Sequence, residues 1–183
     1  DCLRQKAEAL GLRPRVHQAS FTDFRLDRQF ALIVCPCNSF AHNLTTDDQI
    51  EALRRFHEHL LLGGLLVIDS FFPSKPYTDT DQLRVLEGEV VDPRTGHRLR
   101  CYDSRSMDRV KQIQHSDNEI EEIDASGVLV ATHRNSTDAR WTYKAEMELL
   151  LRHIGFARWE IYAGYDRRPF EHETDPMVVF AWK

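Results

Sequence analysis

Two short apolar runs flank a helix, and that arrangement restricts the fold more than any other feature of the sequence. Phe30-Ala31-Leu32-Ile33-Val34-Cys35 has no polar position, as a strand buried on both faces of a parallel sheet requires. Leu65-Leu66-Val67-Ile68-Asp69 repeats the pattern. Between them, Thr46 and Gln49 have the spacing of a capping box, and Asp47 and Asp48 suit the first-turn dipole. Ile50, Leu53, Phe56 and Leu60 form one apolar stripe, with Gly63-Gly64 as the expected stop. Strand, helix and strand joined by short connections make a right-handed βαβ unit.

The flanking regions extend this unit in different ways. Leu3, Ala7 and Leu10 share a helical face that Gly11 would cap, and Arg15 to Ala19 reads as a short strand. From about Pro73 to Arg140 short apolar pairs such as Leu83-Val85, Val90-Val91 and Ile120-Ile123 alternate with turn signals at Asp92-Pro93, Asp117-Asn118 and Ser126-Gly127. Such spacing predicts an antiparallel meander with one covered face and one wet face. A helix is expected over Tyr143–His153 with Gly155 as its stop, followed by strands at Arg158–Ala163 and Met177–Trp182. The fold class is α/β, with residues 1–72 and 141–183 as the core and 73–140 as an antiparallel insertion.

Composition narrows the partners. With 24 Lys+Arg against 29 Asp+Glu in 183 residues, the net charge is −5, which argues against a nucleic-acid binder. Five arginines between Arg94 and Arg109 are interleaved with Asp103 and Asp108, the pattern of a mixed exposed surface. No apolar run approaches the ~20 residues of a membrane span. The opening Asp1-Cys2-Leu3-Arg4-Gln5-Lys6 has no leader character, so the four cysteines are expected as reduced thiols in a cytoplasmic protein. Cys35-Pro36-Cys37 lacks the two-residue spacer of a redox or zinc pair, and no metal site is expected. His57-Glu58-His59 reads as a solvated helix face and Glu171–Asp175 as a mobile polar loop. None of the 8 glycines is paired as G-x-G, so no glycine-rich nucleotide loop occurs in these residues.

Several segments, in order, resemble the later part of a class I S-adenosylmethionine-dependent methyltransferase of the small-molecule type. They are Gln18-Ala19-Ser20-Phe21-Thr22-Asp23-Phe24, Phe30 to Leu44 with its Pro36-Cys37-Asn38-Ser39-Phe40-Ala41-His42, and Leu60 to Asp69. To these add Glu146-x-x-x-Leu150-Leu151-x-x-x-Gly155-Phe156 and Tyr162-x-Gly164-Tyr165-Asp166. The resemblance implies a Rossmann-like sheet ending in an antiparallel hairpin, S-adenosylmethionine as cofactor, and a small-molecule acceptor. It implies that Ser20 and Phe21 border the adenine, Ser20 standing where an acidic residue is usual. Cys35 and Pro36 would border the methionine part. The loop from Asn38 to Leu44 would form the active-site floor, so that Asn38 and Phe40 touch the acceptor.

Methyl transfer from a sulfonium is an in-line displacement, accelerated by placing the acceptor lone pair behind the methyl group. A general base is needed only if the acceptor must lose a proton, and His42 is the candidate for that role. Tyr102, Tyr143 and Arg140 are candidates for the acceptor pocket, Arg140 as an anion anchor, and Asp69-Ser70-Phe71-Phe72 lies where α/β sheets bind ligands. The family's glycine loop and second-strand acid would precede Asp1, so the residues read as a fragment with its N-terminal strands missing. That leaves one edge of the Phe30–Cys35 strand bare, inviting a homodimer, or direct pairing with the Arg15–Ala19 strand. The second functional reading is a methyltransferase-like remnant that binds ligand or protein as a dimer without catalysis.

Overall fold

The computed structural model describes residues 2–71, 73–74 and 78–183. The chain begins with helix α1 (Cys2–Ala9) and enters strand β1 (Phe30–Cys35), followed by a short 3-10 turn (Ser39–His42). Helix α2 (Thr46–His59) leads directly into strand β2 (Leu60–Ser70). Strands β3 (Gln82–Val91), β4 (Arg98–Asp108), β5 (Ile113–Ile123) and β6 (Leu129–Arg140) form the meander, and helix α3 (Lys144–Ile154) precedes strands β7 (Arg158–Tyr162) and β8 (Met177–Trp182). Two four-stranded sheets result, ordered β1-β2-β8-β7 and β3-β4-β5-β6. β1 and β2 are parallel, β8 runs antiparallel to β2, and β7–β8 is the expected terminal hairpin.

Alternation along β1 decides where the core lies. Ile33 and Cys35 point into the main core with Leu66, Ile68, Val179 and Ala181, against Leu53 and Phe56 of α2 and Met147 and Leu151 of α3. The intervening Leu32 and Val34 are 52% and 47% exposed on the opposite face. Among the described residues β1 pairs with β2 alone, and the expected strand at 15–19 does not form: the segment runs without a ladder. An isolated strand has no partner for its N–H and C=O groups, so propensity alone cannot hold it.

Three expectations about the α2–β2 region shift. The capping box uses Thr45 and Asp48, whose side chain and backbone exchange bonds in both directions, because Gln49 is turned inward and fully buried. Gly63-Gly64 does not end the helix; both lie within β2, bound to Lys183 through Gly63 N–H to Lys183 O (2.9 Å) and Lys183 N–H to Gly64 O (3.0 Å). A Cβ on Gly64 would meet the Leu61 carbonyl oxygen at 2.8 Å, which is why the bulge there takes glycine. His59 is buried rather than solvated: its Nε2 accepts from Leu26 N–H (3.0 Å) and its Nδ1 donates to Arg55 O (2.8 Å). That pair pins the 20–30 segment to α2.

A buried polar network joins the meander to the core. Arg140, at the end of β6, donates to Gln49 Oε1 (2.6 Å) and to Glu146 Oε1 of α3 (2.7 Å). Gln49 in turn donates to Thr142 Oγ1 (3.0 Å), and Gln112, in the β4–β5 turn, donates to Glu146 Oε2 (2.9 Å). Among the described residues no helix is long and apolar enough to cross a membrane.

Candidate active site

The carboxyl ends of β1 and β2 open onto a cleft, as expected for an α/β sheet. After Cys35 the chain bends through two successive left-handed residues, Cys37 (φ 58°) and Asn38 (φ 56°). Asn tolerates this region, but for Cys37 it costs roughly 1–2 kcal/mol, so a contact that holds the bend is expected. Asp69, near the end of β2, accepts Asn38 N–H at Oδ1 (2.8 Å), and the neighbouring Cys37 N–H also favours the ionised carboxylate. Tyr165, from the β7–β8 loop, donates its hydroxyl to Asp69 Oδ2 (2.5 Å). Burial alone would raise the Asp69 pKa, but the bonds from Tyr165, Asn38 and Cys37 outweigh it and hold the carboxyl below its ordinary range. The same bond, with burial, pushes the Tyr165 phenol up to about 12.

The bend feeds the 3-10 turn, where Phe40 and Ala41 are buried and His42 is exposed. Ser39 Oγ donates to Pro36 O (2.6 Å) and closes the loop on itself. The His42 ring reaches across to β6, with Nδ1 3.1 Å from Asp138 O. A carbonyl oxygen can only accept, so Nδ1 carries the hydrogen and, in the neutral ring, Nε2 carries the lone pair. The cleft beside it measures about 430 Å³ and is lined by Cys37, Asn38, Ala41, His42, Phe71, Ser74, Gln114, Ala139 and Thr174. Among the described residues its wall is amide, hydroxyl, thiol and apolar, with His42 as its ionisable ring and no Lys, Arg, Asp or Glu.

The sequence-derived candidates divide. His42 and Asn38 line this cleft together. Ser20 and Phe21 line a separate cleft of about 240 Å³ with His17, Ala19, Phe24, Leu26 and Phe56, where Phe21 meets Phe56 edge-on at 5.7 Å. Ser20 serves its own turn, donating its N–H to Asp23 Oδ1 (3.0 Å) and sharing a hydrogen bond with Thr22 Oγ1 (2.9 Å). Cys35 is buried, its thiol pushed up to about 12 by burial and then by the Asp69 charge; Pro36 is exposed at the head of the loop.

Four others are not brought to the cleft. Phe40 is core, 1% exposed. Arg140 is buried in the network described above, its charge already matched by Glu146. Tyr143 stands at the N-cap of α3, its backbone N–H donating to Glu146 Oε2 (3.4 Å). Tyr102 lies on the opposite face of β4 from Met107, whose cross-strand partner Gln114 does line the cleft, and it stacks beneath Arg84 at 3.8 Å. In the Asp69–Phe72 stretch, Asp69 takes the structural part described above, Phe71 lines the cleft, and Phe72 lies outside the described residues.

Sequence reasoning missed Gln114, Ala139 and Thr174, which reach the cleft through tertiary placement, and the Asp138 carbonyl, which has no side-chain signature. The loop at 171–175 is also more ordered than expected. Asp175 accepts N–H groups of His172 (2.9 Å) and Glu171 (3.3 Å) and the Arg168 guanidinium (2.9 Å), and these donors hold its carboxyl at about 2. Among the described residues no group of three or more His, Cys, Asp or Glu is placed to hold a metal ion.

No protein-family model matches the chain. A curated relative, the dTDP-3-amino-3,4,6-trideoxy-alpha-D-glucopyranose N,N-dimethyltransferase of Streptomyces venezuelae, is 33% identical over 64 residues. The match spans 35% of this chain and about a quarter (27%) of that protein. Among solved structures, an S-adenosylmethionine-dependent methyltransferase from Clostridium acetobutylicum ATCC 824 superposes with a TM-score of 0.78 at 17% identity, covering 98% of this chain and 68% of that one. Streptomyces venezuelae DesVI gives 0.74 at 20% identity, covering 98% and 69%. A sugar N-methyltransferase from Streptoalloteichus sp ATCC 53650 gives 0.73 at 22% identity, covering 99% and 67%. With its β1-β2-β8-β7 sheet, its terminal hairpin and its inserted meander, the chain has the fold of the S-adenosylmethionine-dependent methyltransferases.

Proposed function

We propose that the protein transfers a methyl group from S-adenosylmethionine to an amine nitrogen of a small, sugar-like acceptor. The observation that carries this reading is the fixed tautomer of His42, with Nδ1–H tied to the Asp138 carbonyl and Nε2 left as a base. An amine acceptor enters as an ammonium ion and needs such a base before its lone pair exists. Asn38, Ser74, Gln114 and Thr174 give the cleft neutral hydrogen-bonding groups suited to a hydroxylated ring. The curated relative, by its name, dimethylates an amino sugar carried on a nucleotide, which agrees in acceptor class.

The residues fit the donor at its adenine end. Phe21, Phe24 and Phe56 form an aromatic wall, and exposed Ser20 offers a hydrogen-bonding group beside it. S-adenosylmethionine, once bound, supplies an electrophilic sulfonium methyl. Cys35 and Pro36 are the residues of this chain that would border its methionine end. The core of 1–72 and 141–183 holds this machinery, and the 73–140 unit serves as floor or lid of the acceptor cleft, a role supported by the His42–Asp138 bond and by Gln114 and Ala139.

The open edge of β1, with half-exposed Leu32 and Val34, supports a homodimer through that edge. Unpaired Cys35, Cys37 and Cys101 support a reducing, cytoplasmic setting. Sedimentation velocity is expected to show twice the protomer mass, and Leu32→Lys to halve it; a wild-type monomer contradicts the dimer. Calorimetry of the full-length natural protein is expected to show saturable binding of S-adenosylhomocysteine. Absence of binding heat across several temperatures contradicts the donor assignment and favours a non-catalytic binding module.

A further inference from the structure

We infer that Asp69 is a positioning residue for His42, holding through its carboxylate the left-handed Cys37–Asn38 bend from which the His42 turn starts. Three chain segments meet at this one side chain. Asp69 sits on β2, where the ladder to Val178 of β8 fixes its backbone. Oδ1 receives the N–H of Asn38 (2.8 Å). Oδ2 receives the Tyr165 hydroxyl (2.5 Å) from the β7–β8 loop.

The bend explains why a carboxylate is needed. The two consecutive residues at φ 58° and 56° bring the Asn38 N–H onto Asp69 Oδ1, where a negative oxygen makes the stronger acceptor. Cys37, unlike Asn38, is of a type that seldom adopts this region, so the bend gains from being held from outside. His42 lies four residues beyond Asn38, and the turn between them is anchored at Phe40 and Ala41 in the core. The ring therefore has one anchored end at the bend and one at the Asp138 carbonyl, and releasing the bend frees the first. Tyr165 acts one step further out by orienting the carboxylate.

The effect on catalysis rests on the methyl-transfer reading; the clamp itself does not. The test compares wild type, Asp69→Ala and Tyr165→Phe in the full-length natural protein. Amide hydrogen exchange at Asn38 is expected to quicken about tenfold or more in Asp69→Ala, the loss of a hydrogen bond to a charged group. Tyr165→Phe is expected to give a smaller change in the same direction. Methylation assays, with the folded fraction of each variant fixed by active-site titration, are expected to show a lower kcat with an unchanged KM for the donor. The ring-nitrogen shifts of His42 are expected to move from a single Nδ1–H tautomer toward a mixture. Unchanged Asn38 exchange in a folded Asp69→Ala protein overturns the clamp, and faster exchange with unchanged kcat and tautomer overturns the positioning role. Should Asp69→Ala fail to fold, Tyr165→Phe, which removes one hydroxyl, carries the same decision. If wild type transfers no methyl group, the methyl-transfer reading fails, while exchange and tautomer still judge the clamp and its effect on His42.

Discussion

Replacing His42 by alanine is expected to lower kcat for methylation of an amine about 100- to 10,000-fold, the range that positioned general-base catalysis contributes. The KM for the donor is expected to stay within a few fold, because His42 lines the acceptor cleft and not the Ser20–Phe21 cleft. High pH gives a second signature. An acceptor amine deprotonated in solution no longer needs the ring, so part of the lost rate is expected to return as pH rises. His42→Gln sharpens the distinction: its amide can still donate to the Asp138 carbonyl but takes no proton, so a loss similar to that of alanine is expected. Steady-state kinetics across pH measures all of this. A His42→Ala rate within about threefold of wild type, under 1 kcal/mol in barrier, contradicts the base assignment.

Arg140→Ala is expected to be the most destabilising single change in the buried network, by about 3 kcal/mol, the lower end of the range for breaking a buried ion pair. The lower end applies because the Glu146 side chain keeps 25% of its surface and regains some hydration. Gln49 has no such relief, since it is fully buried and loses its 2.6 Å partner. Urea titration is expected to move the midpoint down by about 1–3 M, given slopes of about 1–3 kcal/mol per molar. The measurement also separates two roles for this arginine. As an anion anchor it would leave stability intact and raise KM for an acidic acceptor; as the joint between meander and core it lowers stability. A stable Arg140→Ala protein contradicts the joint.

The pattern of what the sequence revealed follows from how locally each feature is determined. The apolar runs at 30–35 and 65–68, the Gly155 stop and the 158–182 hairpin are fixed by composition within a few residues, and all appear where expected. The cap moved by one residue because Thr45 and Asp48 satisfy the same spacing rule as Thr46 and Gln49, and burial of Gln49 chose between them. The 15–19 strand failed for a non-local reason, the absence of a paired neighbour. His59 and Arg140 look solvated or ligand-binding in sequence, yet each is consumed by a partner more than 30 residues away. Tyr102 illustrates the sharpest limit: one step along β4 exchanges the face that holds Met107 for the opposite one, and the meander's register decides which faces the cleft. His42 was legible because its position in Asn38-Ser39-Phe40-Ala41-His42 just after a buried strand is a local property. Its partner, a backbone carbonyl 96 residues later, was not.

Amine methylation dependent on His42 is tested directly by one assay. Full-length natural protein is incubated with isotopically labelled S-adenosylmethionine and an amino-sugar nucleotide, beside a His42→Ala control, and the product is read by mass spectrometry and NMR. A labelled methyl on the amine nitrogen is expected, formed by wild type and strongly reduced in the control. A label found on oxygen or carbon, or formed equally by the control, would contradict it.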